Sequence, residues 1–75
     1  MKVQGYEIPE HLINRVSTYF PVDRSFTLSD LTGVLERIGV PSRALISYRA
    51  ADRILQKWRK AGTHVYSGGK WRRVR

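Results

Sequence analysis

The spacing of the apolar residues changes once along this 75-residue chain, at Gly62. Before Gly62, apolar side chains recur every three or four residues, which is the spacing of an amphipathic helix. After it, two β-capable runs flank Ser67-Gly68-Gly69, and a Gly-Gly pair supplies the positive φ angles that a tight hairpin needs. We therefore predict a helical part followed by a C-terminal β-hairpin.

Two helices are predicted in the first half of the chain. The first covers about residues 9–20, since it opens on a proline, which suits a first helical turn, and Pro21 ends its apolar stripe. The second covers about residues 28–38. Thr27 precedes it as N-cap, and Asp30 lies three residues later, as in a capping box.

A third helix is predicted over about residues 48–61. Ser47 is its predicted N-cap, with Ile46 packing on Ala51 as a hydrophobic staple, because a helix extended further back is expected to turn Ile46 towards solvent. Gly62 then follows as the left-handed residue that ends the helix. The face opposite the apolar stripe carries four hydrogen-bond donors: Arg49, Arg53, Gln56 and Lys60.

The hairpin is predicted over about residues 63–75. With residues 68–69 as its loop, Tyr66 faces Trp71 across the two strands. An isolated hairpin is marginal in water, so this one must pack on the helices. Trp71 and Val74 are the candidate anchors, and which of them faces inward stays open, because they lie on opposite faces of the strand.

Positive charge is concentrated in the second half of the chain. Lys and Arg number 14 against 6 Asp and Glu, for a formal net charge of +8. Residues 1–42 carry net −1 and residues 43–75 carry net +9, with Asp52 as their one acid. Such clustering indicates a polyanionic partner, since a basic surface that only maintains solubility normally intersperses both signs.

The residue types argue against several kinds of chemistry. Without cysteine there is no disulfide, cysteine-ligated zinc or thiol catalysis. His11 and His64 lie on different elements without nearby carboxylate pairs, so we expect no metal site. No phosphate-binding glycine loop or nucleophile elbow occurs, and a chain this short is too small for a substrate pocket beside its core. We expect no enzyme, no cofactor and no small-molecule substrate.

The apolar runs also bear on localisation. None approaches the ~20 residues of a membrane-spanning helix. The sequence MKVQGYEIPEH lacks the apolar core of a secretory signal peptide. We therefore expect a cytoplasmic protein with no membrane partner, nucleoid-associated if the source is bacterial.

Three helices followed by a basic hairpin resemble the winged helix-turn-helix domain. Residues 50–62, AADRILQKWRKAG, look like the recognition helix of that family, with a small-residue pair, an arginine, apolar positions at helical spacing and a glycine before the wing. The resemblance covers about residues 9–75. The connection from Gly39 to Ser47 departs from it, because it is longer than the usual three- or four-residue turn. The resemblance implies a single domain over residues 1–75, mainly α with a small β-hairpin (α+β).

The resemblance also implies binding of double-stranded DNA, with the third helix in the major groove. Arg pairs two-point with guanine and Gln with adenine. The candidates for contacts to base edges are Arg49, Arg53, Gln56, Ser47, Tyr48 and Asp52. The candidates for contacts to the backbone or the minor groove are Arg43, Lys57, Lys60, Lys70, Arg72, Arg73 and Arg75.

Asp52 has two interpretations. It accepts a hydrogen bond from cytosine N4, or it orients one of the arginines beside it, Arg49 or Arg53. The second is favoured, because like charges four residues apart on a helix gain from an anion between them.

These expectations describe a small sequence-specific DNA-binding protein. Its size is typical of compact transcriptional regulators and of accessory factors of phages and mobile elements. A single module buries only ~600–1,000 Å², so tight specific binding requires a protein partner, tandem sites or self-association on DNA. Two alternatives stay open, a winged-helix module that docks an acidic protein and an RNA-binding module in which Tyr66 and Trp71 stack on bases.

Overall fold

The computed structural model describes residues 1–75 as an α+β domain of three α-helices and two small antiparallel sheets. In chain order the elements are strands β1 (Lys2–Val3) and β2 (Tyr6–Glu7), helix α1 (Glu10–Ser17), strand β3 (Ser25–Phe26), helix α2 (Leu28–Arg37), a 3₁₀ turn (Arg43–Leu45), helix α3 (Ile46–Lys60), and strands β4 (His64–Ser67) and β5 (Lys70–Arg73). The α+β class is confirmed. None of the helices has the length and apolarity that a bilayer crossing requires.

Helix α1 is shorter than the predicted helix over residues 9–20. Pro9 is its N-cap, and the helix ends at Ser17. The amide of Phe20 donates to the carbonyl of Ser17, so the chain leaves the helix through a tighter, 3₁₀-like turn. This turn carries Phe20 into the core, where its ring stacks on Phe26 with centroids 4.2 Å apart.

Helix α2 forms as predicted, apart from ending one residue early. The Thr27 hydroxyl accepts from the Asp30 amide at 3.0 Å, and the Asp30 carboxylate accepts from the Thr27 amide at 2.9 Å. This reciprocal pair satisfies two of the amides that a helix start leaves unpaired. The predicted capping box is confirmed.

Helix α3 begins two residues earlier than predicted. Ile46 is only 2% exposed, because at about 80° from Ile54 around the helix axis it lies at the edge of the buried sector. The expectation that Ile46 would turn towards solvent was wrong. Ala44 and Leu45, with φ of 53° and 58°, adopt left-handed conformations that turn the chain sharply into the helix.

The earlier start changes the place of Ser47. Instead of capping α3, Ser47 lies inside it and is 2% exposed. Its hydroxyl donates to the Glu36 carboxylate of α2 at 2.5 Å. Contrary to both predictions, Ser47 therefore neither caps the helix nor contacts bases, because its side chain is buried and bonded to Glu36 between α2 and α3.

The C-terminal hairpin has the predicted register and gains a third strand. Tyr66 pairs with Trp71, their ring centroids 5.1 Å apart, and Phe26 of β3 pairs with Trp71 from the other side. The strand order is therefore β3-β5-β4. Trp71 is 6% exposed and Val74 is 37% exposed, so Trp71 is the anchor that faces the core.

A second hairpin, β1–β2, precedes α1 and was not predicted. Its turn consists of Gln4 and Gly5, both with positive φ, at 50° and 80°. Val3 and Ile8 from this segment are buried in the core with the apolar faces of the helices. The N-terminal residues are thus part of the domain.

Candidate nucleic-acid interface

The outward face of α3 is strongly basic because of how the helix packs. Ala50 and Ala51 are fully buried, and such small side chains allow α3 to lie close against the core. The residues on the other side are consequently presented to solvent. The exposed members are Tyr48, Arg49, Asp52, Arg53, Lys57, Arg59 and Lys60, and Gln56 is half-buried among them.

The hairpin β4–β5 borders this face. A hollow of about 290 Å³ lies between the exposed face of α3 and this hairpin. It is lined by Asp52, Gln56 and Arg59 from α3, by Tyr66, Gly69 and Trp71 from the hairpin, and by Leu28 from α2. Lys70 and Arg72 are exposed on β5. Helix and hairpin therefore form the two sides of one basic surface.

His64 holds the hairpin against α3. Its ring stacks on Trp58 with centroids 4.3 Å apart and meets Phe26 edge-on. The Thr63 hydroxyl lies 2.8 Å from its Nδ1, while Nε2 is buried without a partner. Burial, together with the charge of Arg73, lowers the pKa of His64 to about 4. His64 is therefore a neutral packing residue between the hairpin β4–β5 and α3.

A second hollow, of about 370 Å³, lies along the N-terminal half of α3 beside the hairpin β1–β2. It is lined by Val3, Gln4, Leu45, Tyr48, Arg49, Asp52 and Arg53. One residue, Asp52, lines both hollows. Asp52 thus lies between the Gln4–Gly5 turn on one side and the hairpin β4–β5 on the other.

Asp52 does not orient an arginine. The ion pairs of the structure are those of the N-terminal ammonium with Glu7 and of Arg72 with Asp23. The guanidinium of Arg53 turns instead to the N-terminal hairpin, where its Nη1 donates to the carbonyl oxygen of Lys2 at 2.6 Å. The favoured interpretation of Asp52 was therefore wrong, because neither Arg49 nor Arg53 pairs with it and the Lys2 carbonyl accepts from Arg53 instead.

The predicted backbone contacts fall into three groups. Lys57 and Lys60 are exposed on α3, and Lys70 is exposed on β5. Two arginines of β5 make contacts within the protein. Arg72 donates to Asp23 at 3.1 Å, and Arg73 donates to the carbonyl of Arg75 at 2.6 Å. Arg43 is exposed in the 3₁₀ turn, Arg75 is exposed after β5, and neither residue borders either hollow.

Sequence reasoning did not identify two residues of this surface. Arg59 lines the hollow beside the hairpin β4–β5, and the spacing of Asp52, Gln56 and Arg59, at i, i+4 and i+7, was the signal that could have found it. Gln4 reaches the same helix through a hairpin whose two-residue strands are too short to give a periodic pattern.

Comparison of the chain with protein-family models, with curated proteins and with solved structures finds no match. The interpretation of this surface therefore depends on its own residues and geometry.

Proposed function

We propose that this chain is a winged helix-turn-helix protein that binds double-stranded DNA, with α3 in the major groove and the hairpin β4–β5 as its wing. The observation that carries the proposal is the shared hollow between α3 and the hairpin, which makes a helix face and a basic ribbon parts of one surface. The element order and the pairing of β3 with β5, which joins the wing to the helices, also support it.

The exposed residues of α3 suit the edges of bases. An α-helix fits the width of the B-form major groove, and Arg49 and Gln56 offer donors for guanine and adenine. Asp52, which has no ion pair, is free to accept from cytosine N4. Tyr48 is half-exposed beside Arg49 and adds an apolar surface for a thymine methyl group.

The surrounding cations suit phosphates. Lys57, Lys60 and Lys70 are exposed without ion pairs, and they lie on the two elements that the proposal places against DNA. Each phosphate contact releases a counterion, so binding is expected to weaken steeply with salt. Arg72 can exchange its exposed pair with Asp23 for a phosphate at little cost, because surface ion pairs contribute little.

A role in transcription control, or as an accessory factor of a phage or mobile element, fits a chain that offers one DNA-binding module. The footprint of one module limits affinity, since single modules bury only ~600–1,000 Å². Specific binding in this proposal therefore involves a second copy, tandem sites or a protein partner on DNA.

Fluorescence anisotropy with a labelled duplex tests this proposal. We compare Lys57→Gln, Lys60→Gln and Lys70→Gln with the control Arg15→Gln, which removes the same charge from α1 at a position lining neither hollow. If the cations meet DNA, each of the first three variants lowers the slope of log affinity against log salt by about 1. The control retains the wild-type slope. Four variants that bind alike would reject the proposed surface.

One observation favours RNA as the second candidate partner. Tyr66 is 55% exposed on the outer strand of the wing, where an aromatic ring can stack on an unpaired base. Its partner Trp71 is buried and cannot do the same. RNA would be supported as the partner if single-stranded RNA displaced the duplex at equal concentration. Tyr66→Ala should then lose this preference for RNA over the duplex.

A further inference from the structure

We infer that the N-terminal hairpin β1–β2 is a second arm of the DNA-binding surface and that Arg53 is the residue that positions it. The inference rests on the proposed function and extends it to a segment outside the winged-helix pattern. Its ligand is the sugar–phosphate backbone beside the N-terminal half of α3.

Two contacts attach the hairpin to the helix. Val3 is 3% exposed and belongs to the core, so its side chain anchors β1 to the domain. The guanidinium of Arg53 donates to the carbonyl of Lys2 at 2.6 Å, across 51 residues of sequence. A charged donor makes a stronger hydrogen bond than a neutral one, and the planar fork of Arg holds its partner in a defined direction.

The position of the turn follows from the two hollows. Gln4 lines the hollow that also contains Tyr48 and Arg49, while the wing lines the hollow further along α3. Asp52 borders both. The hairpin β1–β2 therefore borders the N-terminal half of the exposed face of α3, and the hairpin β4–β5 borders its C-terminal half. A helix in the major groove lies between two phosphate strands, so an arm beside its N-terminal half can reach the backbone.

Lys2 is the cation of this arm. Side chains alternate along a strand, so the burial of Val3 directs Lys2 away from the core, and Lys2 is exposed. Glu7 lies opposite Lys2 in the hairpin, but its carboxylate accepts from the N-terminal ammonium at 2.8 Å, and this contact lowers the pKa of Glu7. Lys2 itself makes no ion pair. Its ammonium and the Gln4 amide are thus available to phosphate.

This geometry changes the role predicted for Arg53. We expected Arg53 to contact a base edge, yet its Nη1 is already bound to the protein backbone. We infer that Arg53 acts through Lys2 and Gln4 by holding their turn beside α3. Arg49, one turn earlier on the helix, remains the arginine of the reading face.

A double-mutant cycle measured by duplex binding tests the inference. The variants are Lys2→Gln, Arg53→Ala and the two combined, with Arg15→Gln as the control of equal charge. We expect Lys2→Gln to lower the salt slope by about 1 in the wild-type background and by about 0 in the Arg53→Ala background, because the arm is then no longer held. Amide shifts of residues 2–5 in free Arg53→Ala report directly on that release.

The outcomes separate the two proposals. A wild-type protein that fails to bind duplex at low salt rejects the proposed function, and the second arm with it. Normal binding with an unchanged slope in Lys2→Gln rejects the second arm alone. An equal decrease in both backgrounds rejects the positioning role of Arg53. Lys2→Gln alters only an exposed side chain, so the test of the second arm does not depend on Arg53→Ala. The amide spectrum of Arg53→Ala shows directly that this variant is folded before the two backgrounds are compared.

Discussion

Replacing Gly33 by alanine is expected to stabilise this protein. Gly33 lies in the interior of α2, is exposed, and an added β-carbon would meet no atom within 4 Å. Glycine inside a helix costs about 0.8–1 kcal/mol relative to alanine, partly because it leaves the unfolded chain more freedom. The free energy of unfolding should therefore rise by about that amount. For a domain of this size, this corresponds to an increase of about 4–8 °C in Tm.

Gly39 provides a matched control for Gly33→Ala. A β-carbon at Gly39 would also meet nothing within 4 Å, but its φ is +110°. Alanine there must adopt a strained backbone, at a cost of about 1–3 kcal/mol. Because neither site has a steric neighbour, the pair isolates the effect of backbone conformation. Urea unfolding followed by tryptophan fluorescence measures both changes.

Two results would contradict these expectations: a Gly33→Ala variant no more stable than the wild type, or a Gly39→Ala variant that unfolds at the wild-type midpoint. Gly33 lines a third hollow, of about 460 Å³, with Tyr19, Arg24 and Arg37 among its neighbours. That hollow contains no residue of α3 or of the hairpin β4–β5. Duplex binding by Gly33→Ala should accordingly equal that of the wild type.

Three further predictions concern the residues that hold the elements together. The pKa of His64 is about 4 in the folded protein and about 6.5 in the unfolded chain, so the unfolded chain binds more protons between those pH values. The free energy of unfolding should therefore fall as the pH falls from about 6.5 to 4. The loss should be about 1–2 kcal/mol after solvent screening, and His64→Phe should remove it in pH-dependent denaturation; identical pH profiles would contradict the assignment. Ser47→Ala should cost about 1–2 kcal/mol through its bond to Glu36. A double-mutant cycle with Glu36→Ala that shows no coupling would rule that bond out as the cause. Thr27→Ala should cost about 1 kcal/mol through the lost N-cap while Thr27→Ser retains stability, so equal midpoints for the two variants would argue against the capping box.

The parts of the fold that sequence reasoning found are those governed by neighbouring residues. The start of α2 follows from Thr27 and Asp30, which bond each other's backbone amides. The register of the hairpin β4–β5 follows from Gly68-Gly69, since a two-residue loop determines which residues pair. These signals lie within a few residues of the structure that they specify.

The parts that it missed depend on contacts between distant segments. Burial of Ile46 follows from packing against the core, and the left-handed residues before it have no glycine to mark them. Each strand of the first hairpin has only two residues. At the candidate site, exposure of the α3 cations was predictable from the helical period. The bond from Arg53 to Lys2 was not, because nothing local brings the two together.

Amide chemical shifts during titration with DNA test the central claim most directly. The ¹⁵N-labelled protein is titrated with a mixed-sequence duplex of about 25 base pairs at low and high salt. We expect shifts concentrated in α3 and the hairpin β4–β5, and these shifts should weaken steeply as salt increases. The proposed interface would be contradicted by shifts confined to α1 and the outer face of α2. It would also be contradicted by the absence of shifts at low salt, because residues 43–75 carry a net charge of +9.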